Sequence, residues 1–153
     1  RLMADQIFQG IPERTAASIL RLSYPYGPGQ KNRLIPLMAQ QISSREKIKL
    51  ENKPGQPRIR PLYIDDFLEA IGKLIDKKPH GIFNLGGAET VSIKKLAEMI
   101  ASLLEKEVHF QAGSTPSADF LVNSDKIYKA LQWNPSTNLE TGLQKTLYSM
   151  ELV

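Results

Sequence analysis

Arg21-Leu22-Ser23-Tyr24-Pro25-Tyr26-Gly27-Pro28-Gly29 is the stretch on which the reading of this chain turns. With Ala17-Ser18-Ile19-Leu20 just before it, it forms an apolar run that breaks abruptly into prolines and glycines. Such a run, without alternation, is the pattern of a strand buried on both faces of a parallel sheet. The segment from Tyr24 to Gln30 then predicts a turn at the strand's C-terminal end. Open α/β sheets place their ligands at that end. Tyr24, Pro25 and Tyr26 become candidate site residues on position alone, although tyrosines in a turn also serve as amphipathic packing.

Working outward, Arg60-Pro61-Leu62-Tyr63-Ile64-Asp65-Asp66 reads as an arginine, a short strand and a helix start. Asp65 predicts the N-cap of a helix over 66–75, whose Phe67, Leu68, Ile71, Leu74 and Ile75 recur at helical spacing. Asp66 suits the positive end of the helix dipole, so the two carboxylates need no catalytic explanation. Gly81 to Gly87 predicts a short strand ending in two glycines. Ser92 caps a further helix with Ile93, Leu96, Ala97, Ile100 and Leu104 on one face. Leu34 to Ile42 predicts a helix that tolerates Pro36 in its first turn. Lys47 to Leu50 and Val108 to Phe110 read as short strands, and 111–119 as a polar loop. Ser124 and Asp125 open a short helix that stops before Trp133, and Asn138 opens a last one carrying Leu139, Leu143, Leu147 and Met150. Leu2 to Phe8 has a helical pattern ending near Gly10, and a chain that opens on Arg1 inside a helix reads as a piece of a longer protein.

Composition excludes several classes. The chain has 153 residues, 41% hydrophobic and 24% charged, which is ordinary globular chemistry with enough length for a core. It has no cysteine, hence no disulfide framework or thiolate metal site. That fits a cytoplasmic protein. His80 and His109 lie far apart without ligand-like spacing, so no metal site is expected. The net charge of +4 is spread out, and Lys77-Lys78 and Lys94-Lys95 suit solvated surfaces, so no nucleic-acid platform is expected. No apolar run reaches membrane-spanning length.

Several segments, taken in order, resemble the C-terminal half of the extended short-chain dehydrogenase/reductases, the NAD(P)-dependent epimerase/dehydratase family that acts mostly on nucleotide-sugars. Arg21 to Gly29 is similar to the family's Arg-x-x-Asn-x-Tyr-Gly-Pro-Gly. Arg60 to Asp66 is similar to its Arg-Asp-Phe-x-x-Val-Asp-Asp. Phe83 to Gly87, Ser92 to Glu98, Leu131 to Pro135 and Leu139 to Leu143 resemble its Tyr-Asn-x-Gly-Gly, Ser-Ile-x-Glu-Leu-Ala-Glu, Leu-Gly-Trp-x-Pro and Leu-x-x-Gly-Leu. The resemblance implies an α/β fold: the C-terminal part of a Rossmann-type NAD(P)-binding fold contributing one sheet strand, over residues 1–30, and a small mixed α/β substrate-binding lobe over 31–153.

The same resemblance implies roles. Arg60 would hold the diphosphate of the nucleotide-sugar, a task suited to a guanidinium fork. By position alone the favoured reading is a surface arginine beside a strand. Arg58 is the stand-in if the register is off by two. Tyr24 and Pro25 would lie against the nicotinamide, and Tyr24, where the family carries asparagine, also against the sugar. Pro116 to Asp119 lies where the family has Arg-x-Gly-Asp. Asp119 would be the retained aspartate, but the arginine is absent. The cofactor implied is NAD or NADP, the substrate a nucleotide-sugar, and the parent protein a homodimer. However, the sequence holds no Gly-x-x-Gly-x-x-Gly, and none of its tyrosines has a lysine four residues on. The catalytic pair and the cofactor turn are therefore not in this chain, and no catalytic residue is assigned. Two readings follow: the substrate-binding portion of a nucleotide-sugar epimerase/dehydratase, or an atypical non-catalytic member serving as a ligand sensor or binding module.

Overall fold

The computed structural model describes residues 2–12, 14–51, 57–113 and 119–152. In chain order the elements are α1 (Leu2–Gln9), β1 (Ser18–Leu22), β2 (Pro25–Tyr26), α2 (Leu34–Ser43), β3 (Ile48–Glu51), β4 (Arg58–Ile59), β5 (Leu62–Tyr63), α3 (Ile64–Lys77), β6 (Gly81–Leu85), β7 (Val91–Ser92), α4 (Ile93–Leu103), β8 (Phe110–Gly113), α5 (Asp125–Leu131) and α6 (Leu139–Tyr148). Among the described residues the strands pair two by two. β1 runs parallel to β6, with Leu20 opposite Phe83 and Leu22 opposite Leu85. β2 runs parallel to β5 and β3 to β8, whereas β4 and β7 are antiparallel. Ile59 also bridges in parallel to Phe120.

The sequence led to the expectation of one central parallel strand; in the structure β1 is paired in parallel with a second, β6. The strand foreseen at Gly81 to Gly87 is the partner of β1. Its burial alternates, with Gly81, Phe83 and Leu85 inward and Ile82 and Asn84 half-covered, the period of a strand with one face on a core. β1 is half-buried rather than buried, because only β6 flanks it among the described residues.

Two apolar cores result. One is built on β6, with Phe83 and Leu85 packed against Ala70 of α3, Ile127 and Leu131 of α5, Leu62 and Trp133. The other gathers α2, α4 and α6 around Ile42, Leu96, Ile100, Leu143 and Leu147, together with Tyr26, Tyr63 and Ile59. The chain passes between them through β2 and β5, so the turn after β1 lies at their junction.

Helix ends follow the sequence in most places. Ser92 caps α4 by accepting the Lys95 amide at 3.1 Å, and Asn138 caps α6 by accepting that of Thr141 at 2.8 Å. Asp65 does not cap α3. The N-cap is Tyr63, and Asp65 and Asp66 fall in the first turn. The reason is tertiary: Asp66 is buried, and its carboxylate accepts the backbone N–H groups of Ser136 and Thr137 at 3.1 and 3.3 Å, across the gap to α6. The strand foreseen at Val108 to Phe110 lies later, at β8, where pairing with β3 sets its extent. Of the loop foreseen over 111–119, residues 114–118 lie outside the described residues.

Candidate functional site at the end of β1

Beyond Leu22 the chain must leave the sheet, and it does so at Tyr24, whose φ of 43° is left-handed. That conformation is costly for a residue with a bulky side chain and is readily adopted by asparagine or glycine. The Tyr24 carbonyl accepts the Leu62 amide at 3.1 Å, which ties the turn to β5. Its ring is partly exposed and meets Phe120 edge-on, with centroids 5.4 Å apart. Tyr26 points the other way. It is buried, sits edge-on to Tyr63 at 5.5 Å, and its hydroxyl donates to the Leu139 carbonyl at 3.5 Å. Gly142 lets that ring approach α6, since a Cβ there would strike the Tyr26 hydroxyl. Gln30 closes the turn by donating from Nε2 to the Pro25 carbonyl at 2.8 Å.

The turn, the start of α2 and Ile59 enclose a cleft of about 580 Å³. Its wall includes Tyr24, Pro25, Arg33, Leu34 and Leu37. A volume of this size suits a small organic ligand.

Of the residues singled out from sequence, Tyr24, Pro25 and Tyr26 stand in this wall. Arg58 and Asp119 pair with each other, Arg60 binds elsewhere, and none of the three lines the cleft. Ile59, between the two arginines, is the residue of β4 that reaches the cleft. Arg58 turns to Asp119: Nε and Nη2 donate to Oδ2 at 3.1 and 2.7 Å, and the Arg58 amide donates to Oδ1 at 3.0 Å. Arg60 reaches toward the end of β6. Its Nε donates to the Gly87 carbonyl at 2.7 Å and its Nη1 to that of Val122 at 3.5 Å, and its guanidinium lies 5.7 Å from the centre of the Tyr128 ring. Tyr128 joins the same clamp, with its hydroxyl donating to the Gly86 carbonyl at 2.8 Å. The paired glycines are required there, because a Cβ on Gly87 would run into the Pro61 carbonyl oxygen.

Sequence reasoning missed Arg33 and Ile59. For Arg33 a signal existed: it lies between a Pro/Gly turn and a helix. For Ile59 it did not, since an isoleucine between two arginines reads as core.

Tyr26, Tyr63 and Tyr128 are harder to ionise than free phenols. Burial raises the pKa of Tyr26 strongly, and Tyr63, Asp66 and Glu89 raise it further. Burial also raises that of Tyr63, with Asp65 and Asp66 adding to it. Burial raises that of Tyr128 against the opposing effects of its hydrogen bond with Ser124 and of Arg60. All three stay phenols at neutral pH, which removes them as general bases. The residues present do not fit a dinucleotide on their own. No glycine-rich phosphate turn occurs in the sequence. α2, the helix that follows the Pro/Gly turn, carries Pro36 in its first turn and so lacks one of the N–H groups a phosphate cradle uses. Among the described residues no group of His, Asp or Glu could hold a metal ion, and no helix is long and apolar enough to cross a membrane.

A parallel strand pair flanked by helices, with a cleft at the C-terminal end of one strand, is an α/β arrangement of the Rossmann type. The chain belongs to the NAD dependent epimerase/dehydratase family, whose family model matches residues 1–86. It is 32% identical over 139 residues to a dTDP-4-dehydro-6-deoxyglucose reductase of Escherichia coli, an alignment covering 86% of this chain and 44% of that protein. It is likewise 32% identical over 137 residues to a UDP-glucuronate 4-epimerase of Thermodesulfobacterium geofontis, covering 85% of this chain and 42% of that one. Among solved structures, a dTDP-glucose 4,6-dehydratase of Bacillus anthracis in complex with NAD superposes with a TM-score of 0.74 at 27% identity, over 88% of this chain and 44% of that one. A UDP-glucuronic acid 4-epimerase of Bacillus cereus, in complex with UDP-glucuronic acid and NAD, shares the fold with a TM-score of 0.77 at 23% identity, over 89% of this chain and 46% of that one. The chain thus spans less than half the length of these relatives.

Proposed function

We propose that this chain is the C-terminal, substrate-binding portion of an NAD(P)-dependent nucleotide-sugar epimerase, dehydratase or reductase. The observation that carries the reading is the cleft at the end of β1, with Tyr24 and Pro25 in its wall. The relatives support the substrate class, since by name they act on dTDP- and UDP-sugars. On this reading the cleft receives the sugar nucleotide. Tyr24 faces the sugar, and its bulk, where relatives of the family carry asparagine, narrows the space available. The Arg58–Asp119 pair and the Arg60 clamp fix the segment that presents Ile59 to the ligand. The hydride chemistry belongs to NAD(P), and this chain's own residues bind and orient the substrate without moving a proton. The alternative, a non-catalytic sensor, draws no support from relatives that are named as enzymes.

The test is titration calorimetry of UDP- and dTDP-hexoses into the chain. At least one should bind saturably, and Leu37→Trp, which narrows the cleft from an exposed position, should weaken it at least about fivefold. No binding by any of these sugars, or binding that Leu37→Trp leaves unchanged, would contradict the reading.

A further inference from the structure

We propose that the free edge of β3 is a self-association surface. A second copy of this chain adds its own β3 there, antiparallel across a two-fold axis, with Lys49 of each copy opposite the partner's Glu51. The inference goes beyond the ligand reading above and does not depend on it. Among the described residues β3 pairs with β8 and with no other strand. The Ile48 amide donates to the His109 carbonyl at 2.8 Å, which sets the phase of that ladder. Ile48 and Leu50 therefore direct their backbone groups to β8, and Lys49 and Glu51 direct theirs to the opposite edge. An edge of this kind accepts another strand unless something blunts it.

The charges along the strand decide the register. Lys49 opposite its own copy sets like charges on the axis, and so does Glu51 opposite its own. Like charges directly opposite each other are destabilising. The register with Leu50 on the axis instead places Lys49 opposite Glu51 twice, by symmetry. Both of these become hydrogen-bonded pairs, each exchanging two N–H to O=C bonds, with the Leu50 pair non-bonded between them. A lysine on an edge strand commonly keeps other strands away. Here an acid two residues further on makes the edge complementary to a copy of itself. Space for an added strand is present. A groove of about 760 Å³ lies between α2 and β3, lined by Leu34, Leu37, Met38 and Gln41 on the helix and by Ile48 and Lys49 on the strand. Lys49 is exposed, and Leu37 is 44% exposed. Leu34 and Leu37 also line the cleft at the end of β1, so an occupant of the groove abuts the same helix residues as a ligand in the cleft.

The test is sedimentation velocity of the full chain over a wide range of concentration, at low and high salt. The proposal predicts a reversible monomer–dimer equilibrium that added salt weakens. Lys49→Glu and Glu51→Lys should each lower the association constant by at least about tenfold, because two attractive pairs become two repulsive ones. Mixing these two variants should restore association, since an acidic edge then meets a basic one. Lys49→Pro removes a donor from the free edge without touching a bond to β8, and should leave the chain monomeric. Because Lys49 is exposed and its backbone faces away from β8, its variants should melt as wild type does. If Lys49→Pro lowers the melt, the mixture of charge variants carries the test alone. A chain that stays monomeric throughout overturns the proposal. So does a dimer that both charge variants leave intact, since its interface then lies elsewhere. If each charge variant is monomeric and their mixture stays so, the pairing of Lys49 with Glu51 is wrong and the proposal falls.

Discussion

A one-residue difference in facing decides how the arginines around β4 are read. The family resemblance pointed to Arg60, with Arg58 as its stand-in; the residue of this segment in the cleft wall is Ile59. Alternation along an extended segment puts residues two apart on one side, so both arginines turn from the cleft together and meet the 119–122 segment. The facing of a two-residue strand is set by what it pairs with, here Ser92 and Val91 on one side and Phe120 on the other, and sequence does not display those partners. Tyr24 and Pro25 stand in the cleft wall, at the end of a parallel strand, which is a recurrent ligand position whatever the partners. Tyr26 gives a prediction at the same scale. Burial and its acidic neighbours make this phenol harder to ionise in the fold than in the unfolded chain, where it titrates near about 10. Tyr63 and Tyr128 shift in the same direction. A pKa raised by folding contributes stability that is fully present below the unfolded value and is lost as pH rises toward the folded one. The melting temperature should therefore fall as pH is raised above about 10, and Tyr26→Phe should flatten that decline. A pH-independent melt through that range would show that these hydroxyls are not withdrawn from water.

Between elements, the contact that most affects the site is the one from α3 to the start of α6. Asp66 is 3% exposed, and its carboxylate takes the amides of Ser136 and Thr137, while Glu89 takes that of Leu139 at 2.8 Å. Together they seat α6, whose Gly142 receives the ring of Tyr26 and so anchors the turn that forms the cleft. Asp66→Ala should cost about 2–3 kcal/mol, because it removes a charged acceptor and leaves amides without one. Asp66→Asn keeps an acceptor and should cost about half as much. Urea denaturation measures both, and a loss below about 0.5 kcal/mol for Asp66→Ala would show that water replaces the carboxylate without penalty. Helical elements were readable from sequence because capping and apolar spacing are local: Ser92, Asn138 and the Leu139–Leu143–Leu147 row carried their own signals. Asp65 carried the same signal and was overridden, because Tyr63 is extended as the end of β5 and α3 begins two residues earlier than that signal implies. The strand pairings were not readable, since β1 and β6 lie far apart in the chain and find each other only through α3 and the core beneath them.

At the scale of the whole molecule, two cores meet at a turn, and the cleft occupies their junction. The fold class and the family were legible because several short segments, each weak alone, occur in one order along the chain. What ordering could not give is which side chains line the cleft, since that depends on how the two cores are set against each other by Asp66, Arg60 and the paired glycines. The proposed part for this chain is to hold a nucleotide-sugar in that junction. Heteronuclear NMR of the isotopically labelled chain, titrated with UDP-glucuronate and dTDP-glucose, tests this most directly because it maps where the ligand sits. The account predicts progressive, saturable shifts confined to the amides of residues 24–37 and their neighbours at Ile59, including Arg33 and Leu37. Shifts centred on Arg58, Asp119 and the Arg60–Gly87 clamp, or no saturable shift at all, would contradict it.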